Sequence, residues 1–386
     1  MSELEIQKLV AGGDGLAFAD GKAVFVPGVL PGERVRVRVA SRRRDYDRAI
    51  LEEVLVPSPA RVKPPCRLAG ICGGCDWLHI DPQEQRNQKL AILRESLRRT
   101  GHVDLPDLAV EAGPELGYRN RVQLHRSSTG RLGYMAAESA RVIEVEECPV
   151  AAPSVNTLFG GTVPPPEGLD RFIAFGGDGW VAREGADDAR DLEVVVAGKR
   201  ILFSVGCFFQ SNLAALQSLV PYVLEGLGGE SAADLYCGVG LFGAFLVERF
   251  GRVVAVEPSA MSLAYARRNL AGPGLSAPRS VPPAEADFYP MTVEQWIASG
   301  AAREPQRLDA VVVDPPRAGL SAEVRGWLSA RHAEATLGRL VYVSCNPVTF
   351  ARDLGDLARG GFRLDSVRLF DFYPQTSQVE AVARLG

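Results

Sequence analysis

The sequence predicts a multidomain fold: a small all-β unit at the N-terminus, a central α+β segment carrying clustered cysteines, and a C-terminal Rossmann-like α/β domain built on a parallel sheet. Three observations predict it. Residues 34–40 read RVRVRVA, a strict alternation with the period of a half-buried strand. CRLAGICGGC (66–75) gathers Cys66, Cys72 and Cys75 into one short stretch. From about residue 200, the β-branched runs RVVAVEP, LDAVVVDPP and RLVYVSCNP alternate with helical stretches such as SAMSLAYARRNL. Such runs fill parallel sheets that are covered on both faces.

Length and composition set the bounds. The chain has 386 residues, enough for two or three domains, and is 46% hydrophobic and 23% charged, a globular balance. No stretch approaches the ~20 uninterrupted apolar residues of a membrane span. MSELEIQKLV lacks the basic start and apolar core of a secretory signal, so a cytoplasmic location and no membrane partner are expected. The net charge of −4 excludes a uniformly basic nucleic-acid binder, but not a local basic face. Seven cysteines in such a chain suggest metal or redox chemistry more than disulfides.

Each element follows from local pattern. In residues 1–57, Pro27-Gly28 and Pro31-Gly32 break short strands; Val35, Val37 and Val39 should face a core, with Arg34, Arg36 and Arg38 opposite. Arg42, Arg43, Arg44 and Arg48 follow, with Tyr46 among them, which suits either a nucleic-acid-binding barrel or a solvated face. VPSPARVKPPC reads as a linker. Asp81 caps a helix with Pro82 at its first position and Glu84 closing a capping box; Leu90, Leu93 and Leu97 form its stripe and Gly101 its end. Residues 109–200 read as further β structure, and the C-terminal runs 362–374 and 378–386 as an antiparallel pair at a sheet edge.

Six constellations carry chemistry. In ADLYCGVGLFG (233–243), a strand runs into Gly238, Gly240 and Gly243, and Glu257 ends the next strand, where a carboxylate can accept ribose hydroxyls. NAD and S-adenosylmethionine are the alternatives; Asp234 would repel a pyrophosphate but suit an aminoacyl group. Asp314-Pro315-Pro316-Arg317 fixes a carboxylate at the same sheet edge. Cys345 ends the following strand between Ser344 and Asn346, placed as a nucleophile. In FFQSN, Phe208 can stack on a base and Gln210 can read its edge. Glu380 lies in an apolar run, a position that is costly unless paired or functional. Cys66, Cys72, Cys75 and Cys148 suit zinc or an iron–sulfur cluster, although the spacing is not that of a zinc ribbon.

Together these residues resemble the S-adenosylmethionine-dependent RNA uracil-5-methyltransferases over nearly the whole chain. DLYCGVGLFG, DPPRAGL, SCNP and FFQSN match the family motifs, and YRNR (118–121) and the Gly133-Tyr134 that precedes ECPV also fit. The resemblance implies an OB-like TRAM domain over 1–57, a central iron–sulfur domain over 58–77 and 109–200, and a class I methyltransferase domain over 78–108 and 201–386. It implies Cys345 as nucleophile and Glu380 as general base. Gln210, Tyr236, Gly238, Glu257 and Asp314 would bind S-adenosylmethionine; Phe208, Gln210 and Asp314 would bind uracil. Cys66, Cys72, Cys75 and Cys148 would hold a [4Fe–4S] cluster. A monomer acting on ribosomal RNA is expected, with transfer RNA as the alternative substrate. Gln378 stands where the family has histidine, and Glu285 and Asp287 are weak candidates for an adenine contact. Two other classes remain: an amine N-methyltransferase, which needs no thiol, and a non-catalytic RNA-binding protein on the same scaffold.

Overall fold

The computed structural model describes residues 2–105, 107–161, 163–272 and 285–386. The N-terminal strands form a six-stranded sheet in which Ser2–Glu5 pairs with Arg34–Arg42, and that strand with Tyr46–Val56. Val35 and Val37 are buried with Leu4, Val24 and Val26 in a separate core. The arginine face is not free. Arg36 is engaged by Glu53 and by Glu3, Arg38 by Glu52 at 2.8 Å, and Arg48 by Asp14 at 2.8 Å and Glu138 at 3.3 Å. Alternation places glutamates of the partner strand beside the arginines, so the ladder is largely neutralised. Arg42, Arg43 and Arg44, at the exposed hairpin tip, have no ion pair among the described residues.

The central segment is a five-stranded antiparallel sheet from Arg121–Arg126 to Val181–Arg183, followed by the hairpin of Leu192–Val196 and Lys199–Phe203. Residues 109–111, expected to open this segment, instead add a short strand to the edge of the large sheet, parallel to Leu364–Phe370.

The large sheet has eight strands. Five are parallel, in the order Glu285–Tyr289, Phe250–Val256, Gly229–Leu235, Leu308–Val313 and Leu337–Ser344. Glu380–Leu385 then lies antiparallel against Leu337–Ser344, with Leu364–Phe370 beyond it. The C-terminal pair therefore joins the sheet directly beside the Cys345 strand, and the outer edge belongs to residues 109–111. Alternate residues feed two cores: Val312, Val341 and Val343 pack on one face, and Val311, Val313 and Leu340 on the other. Helices Leu213–Leu224 and Ala260–Ala271 cover the first face. Helices Pro82–Ser96, Ala322–Ala333 and Pro347–Arg359 cover the second. This is the doubly wound arrangement expected.

The helix Pro82–Ser96 starts as read: Asp81 accepts from the backbone N–H of Gln83 and Glu84, and Pro82 sits at the first position. Glu84 turns to Asn87 and Gln88 rather than back to the cap. Leu93 and Leu97 are buried, and Gly101 lies where the chain presses on the helix Pro347–Arg359. A Cβ on Gly355 would overlap the backbone of Gly101. Helix propensity favours Ala over Gly by ~1 kcal/mol, but a backbone clash between packed helices costs roughly 1–3 kcal/mol. Gly355→Ala should therefore lower the melting temperature; an unchanged or raised value would show that the two elements separate freely. No helix among the described residues is long and apolar enough to cross a membrane.

Candidate active site

The strands of a doubly wound sheet end at one edge, and the loops that follow them share one crevice. Here Gly229–Leu235, Phe250–Val256, Leu308–Val313 and Leu337–Ser344 deliver Tyr236–Gly238, Glu257, Asp314 and Cys345 to a cavity of about 1010 Å³. Phe208, Gln210 and Glu380 line the same cavity. Phe208, Gln210, Tyr236, Gly238, Glu257, Asp314, Cys345 and Glu380 thus meet around one space, whereas Asp234, Gly240, Gly243, Glu285 and Asp287 do not line it.

The glycine loop owes its shape to backbone requirements. Tyr236 has φ +63°, a region that costs a non-glycine residue ~1 kcal/mol or more, and Gly238 has φ +54°. A Cβ on Gly238 would meet nothing, so the backbone there borders open space, whereas one on Gly240 would press on Ala266 and Leu270. Gly238 suits close approach of a ligand; Gly240 suits packing of the loop on the helix Ala260–Ala271. Glu257 accepts from the N–H of Gly238 at 3.1 Å and of Ser259 at 2.8 Å, fixing its carboxylate at the cavity wall. Asp234, expected to suit an aminoacyl group, does not line the cavity. It is 1% exposed and accepts from the Gly243 N–H at 2.7 Å, and burial pushes its carboxyl up to about 7. Its task is to close the loop. Asp287 is taken by Arg252 at 2.7 Å, and neither it nor Glu285 lines the cavity; residues 276–284 lie outside the described residues.

The Cys345 thiol and the carboxylate opposite it are set by strand register. Ser344 pairs with Ala381, so the next residue outward on each strand is Cys345 and Glu380. Glu380 is 2% exposed. Desolvation and then the charge of Asp314 push it well above the usual carboxylate range, against the pull of Arg317. Asp314 is likewise raised by desolvation, and the Gln210 amide, which donates to it at 3.3 Å, works the other way. The two carboxyls line one desolvated cavity, and the charge of Asp314 disfavours ionisation of Glu380. Cys345 is not pre-ionised. Desolvation, Glu380 and Asp314 push its thiol up to about 11, while Arg317 favours the thiolate through charge and a hydrogen bond. At pH 7 on the order of one thiol in ten thousand is ionised.

FFQSN splits into separate tasks. Phe208 is 61% exposed with the Arg121 guanidinium 5.3 Å over its ring, Phe209 is buried and stacked on Phe203, and Asn212 caps the helix Leu213–Leu224. In SCNP, Ser344 and Asn346 are structural: the Asn346 side chain caps the helix Pro347–Arg359 and donates to the Arg317 carbonyl at 2.9 Å. That bond ties the Asp314 loop to the Cys345 loop. Motif reading placed no role on Arg317, Arg119, Arg121 or Tyr373, all of which line the cavity with Gln378. Arginine within a recognised string was the available signal for Arg317.

Cys66, Cys72, Cys75 and Cys148 form a second locus. The cysteine loop lies along the Leu132–Met135 strand, with Gly73 donating to the Met135 carbonyl and Cys72 bridged to Ala136. No disulfide links them. Backbone N–H groups of Leu68 and Gly74 point at the sulfurs of Cys66 and Cys72 at 3.4 Å. Burial, and then its neighbours Cys148 and Cys72, push Cys75 up to about 12. Among the described residues no group of three or more His, Cys, Asp or Glu side chains is placed to hold a metal ion.

The thiol environment generates a measurable pH response. Alkylation of Cys345 by iodoacetamide, read by peptide mass spectrometry, should be slow at neutral pH and rise toward pH 11. Arg317→Ala removes the charge that favours thiolate and should move the midpoint upward. A midpoint near 8 in the unliganded protein would contradict the electrostatics described.

The comparisons with known proteins agree with this geometry. A family model described as tRNA (Uracil-5-)-methyltransferase matches residues 187–385. The chain is 31% identical over 432 residues to the Pseudomonas fluorescens protein named 23S rRNA (uracil(1939)-C(5))-methyltransferase RlmD, covering 98% of this chain and 90% of that one. It is 30% identical over 401 residues to an RNA methyltransferase of Treponema denticola, covering 98% and 97%. Among solved structures, the Pyrococcus abyssi tRNA (uracil-54, C5)-methyltransferase in complex with S-adenosyl-L-homocysteine has the same fold, with a TM-score of 0.73, 24% identity and full coverage of both chains. The chain belongs to the uracil-5-methyltransferase family, whose members are S-adenosylmethionine-dependent RNA methyltransferases.

Proposed function

We propose that the protein methylates carbon 5 of a uridine in 23S ribosomal RNA through a covalent adduct between Cys345 and carbon 6 of the uracil. The observation that carries this reading is the juxtaposition of Cys345, Glu380 and Asp314 in one cavity bordered by the Gly238 loop. The RlmD-named relatives favour ribosomal over transfer RNA.

Carbon 5 of uracil is too weak a nucleophile to attack a methyl group unaided. Addition of the Cys345 thiolate at carbon 6 makes the ring an enolate, splitting one hard step into two. Asp314 and Gln210 would hold the uracil edge and polarise its carbonyl; Phe208 would stack on a base. After transfer, Glu380 would take the carbon 5 proton and the Cys345–carbon 6 bond would break. The thiol that begins this sequence is protonated at rest. Arg317 is the chain's own cation at its side, and substrate binding must supply the rest of the shift. The uracil has to leave its stack, at a cost of a few kcal/mol.

S-adenosylmethionine supplies an activated methyl group. Gly238 fits it by leaving open space where a side chain would intrude. Glu257 offers a fixed carboxylate for ribose hydroxyls, and Tyr236, Asp314 and Gln210 complete the wall.

Residues 1–57 would be a TRAM unit that grips RNA, and the free Arg42–Arg44 tip with exposed Tyr46 and Phe18 suits that better than the paired ladder. For the four cysteines we propose a [4Fe–4S] cluster within the segment 58–77 and 109–200. The thiols feel one another's charge, and N–H groups aimed at two sulfurs are the kind of contact that tunes clusters. Its role would be to order this loop-rich region. A cytoplasmic monomer fits these tasks.

RNA carrying 5-fluorouridine at candidate loop positions tests the reaction. With S-adenosylmethionine present, fluorine cannot leave as a proton does, so a denaturation-resistant protein–RNA adduct should accumulate and vanish in Cys345→Ala. Absence of any adduct on RNA that the protein binds would favour an amine methyltransferase or a non-catalytic binder. Anaerobically purified protein should carry about four irons, and each of Cys66→Ser, Cys72→Ser, Cys75→Ser and Cys148→Ser should lose them. Stoichiometric zinc in place of iron would overturn the cluster assignment.

A further inference from the structure

Glu380 opens its strand directly after a hairpin loop, residues 371–379, that has no regular secondary structure. Phe372, Gln375, Thr376 and Val379 within it are buried. A buried loop must have its backbone polar groups satisfied, and beside a few bonds within the loop several partners come from outside it. Gln85 accepts from the Gln375 N–H at 2.7 Å and donates to its side-chain oxygen at 3.0 Å. The same Gln85 amide donates to the carbonyls of Trp77 and Ile80. Trp77 N–H donates to the Gln375 carbonyl at 3.1 Å, and Asp76 accepts from the Ser377 N–H at 2.9 Å. Lys89, fully buried, pairs with Asp371 at 2.7 Å and donates to the Tyr373 carbonyl at 2.9 Å.

Two features separate this from ordinary loop satisfaction. Gln375 has φ +68°, an unfavourable conformation for a non-glycine residue that persists only where surroundings impose it. Gln85 and Trp77 converge on that residue. The clamp also comes from a single stretch, Asp76-Trp77 and the helix Pro82–Ser96 that follows, which lies about three hundred residues away in sequence and begins immediately after Cys75. Gln378, near the end of the loop, lines the cavity as well.

We propose that Asp76 and Gln85 are positioning residues that clamp the 371–379 loop and so hold Glu380 at the methylated base. This rests on the assignment of Cys345 as nucleophile and Glu380 as base. In the final step Glu380, in its ionised form, takes the proton from carbon 5, for which burial makes it a stronger base; the freed electron pair restores the carbon 5–carbon 6 double bond, and the carbon 6–sulfur bond breaks to return the Cys345 thiolate. Thiol addition and methyl transfer do not use Glu380. Loosening the clamp therefore slows breakdown of the adduct without slowing its formation.

The test compares wild type, Asp76→Ala, Asp76→Asn and Gln85→Leu on RNA with ordinary uridine. Asp76→Ala and Gln85→Leu should lower kcat about tenfold with KM within about twofold. The fraction of enzyme trapped as a denaturation-resistant adduct at steady state should rise. Asp76→Asn keeps an oxygen for the Ser377 N–H and should restore most turnover. Amide exchange should quicken across 371–379 but not across the helix Leu213–Leu224. Loss of turnover with no rise in adduct, or quickened exchange throughout the protein, would overturn the clamp and leave the nucleophile assignment standing. Failure of wild type to form an adduct with 5-fluorouridine RNA would remove the nucleophile assignment, and the clamp with it.

Discussion

The arrangement turns on one reversal of strand direction. Five parallel strands bring their C-terminal ends to a common edge, which is enough to build a ligand crevice. It is not enough to put a carboxylate beside the thiol. Because Glu380–Leu385 runs antiparallel to Leu337–Ser344, the start of one strand lies beside the end of the other, and Glu380 falls opposite Cys345. Two residues thirty-five positions apart in sequence become neighbours through ladder register alone. A shift of one residue would turn both inward strand faces around. The apolar alternation that fills the two cores therefore also guards the active-site geometry.

Low dielectric then sets the chemistry. Asp314, Glu380 and Cys345 are all raised by desolvation; the charge of Asp314 further raises Glu380, and both carboxylates raise Cys345, with Arg317 the opposing cation. The thiol rests protonated. An ionised thiol would be open to oxidation and alkylation, and keeping it neutral until substrate arrives limits that exposure.

Much of this was legible in the sequence because the motifs are local. Strand ends followed by Gly238, Glu257, Asp314 and Cys345 read directly, as did the Asp81 cap and the alternation of Val35 and Val37. What escaped were long-range pairings. Nothing in RVRVRVA says that Glu52 and Glu53 will lie across from Arg38 and Arg36, so the ladder looked like a free basic face. Nothing near Asp234 says that its carboxylate is consumed by Gly243 rather than offered to a ligand. Gln85 sits in a helix that reads as amphipathic, yet its partner is two hundred and ninety residues away. Residues 109–111 crossed to the large sheet because a three-residue strand follows its pairing partner rather than its neighbours in sequence.

The intramolecular pairing of the N-terminal arginines bears on how this surface meets a polyanion. Each cation already matched by its own carboxylate displaces no counterion when a phosphate approaches, because it must first give up its partner. The slope of log affinity against log salt is about 0.7 per phosphate neutralised on a single strand. With Arg36, Arg38 and Arg48 matched and Arg34 and Arg42–Arg44 unmatched, this unit would contribute a slope of roughly 3, rather than about 5. Grip of this kind is tolerant of ionic strength and weakly retentive, leaving discrimination to the bases themselves.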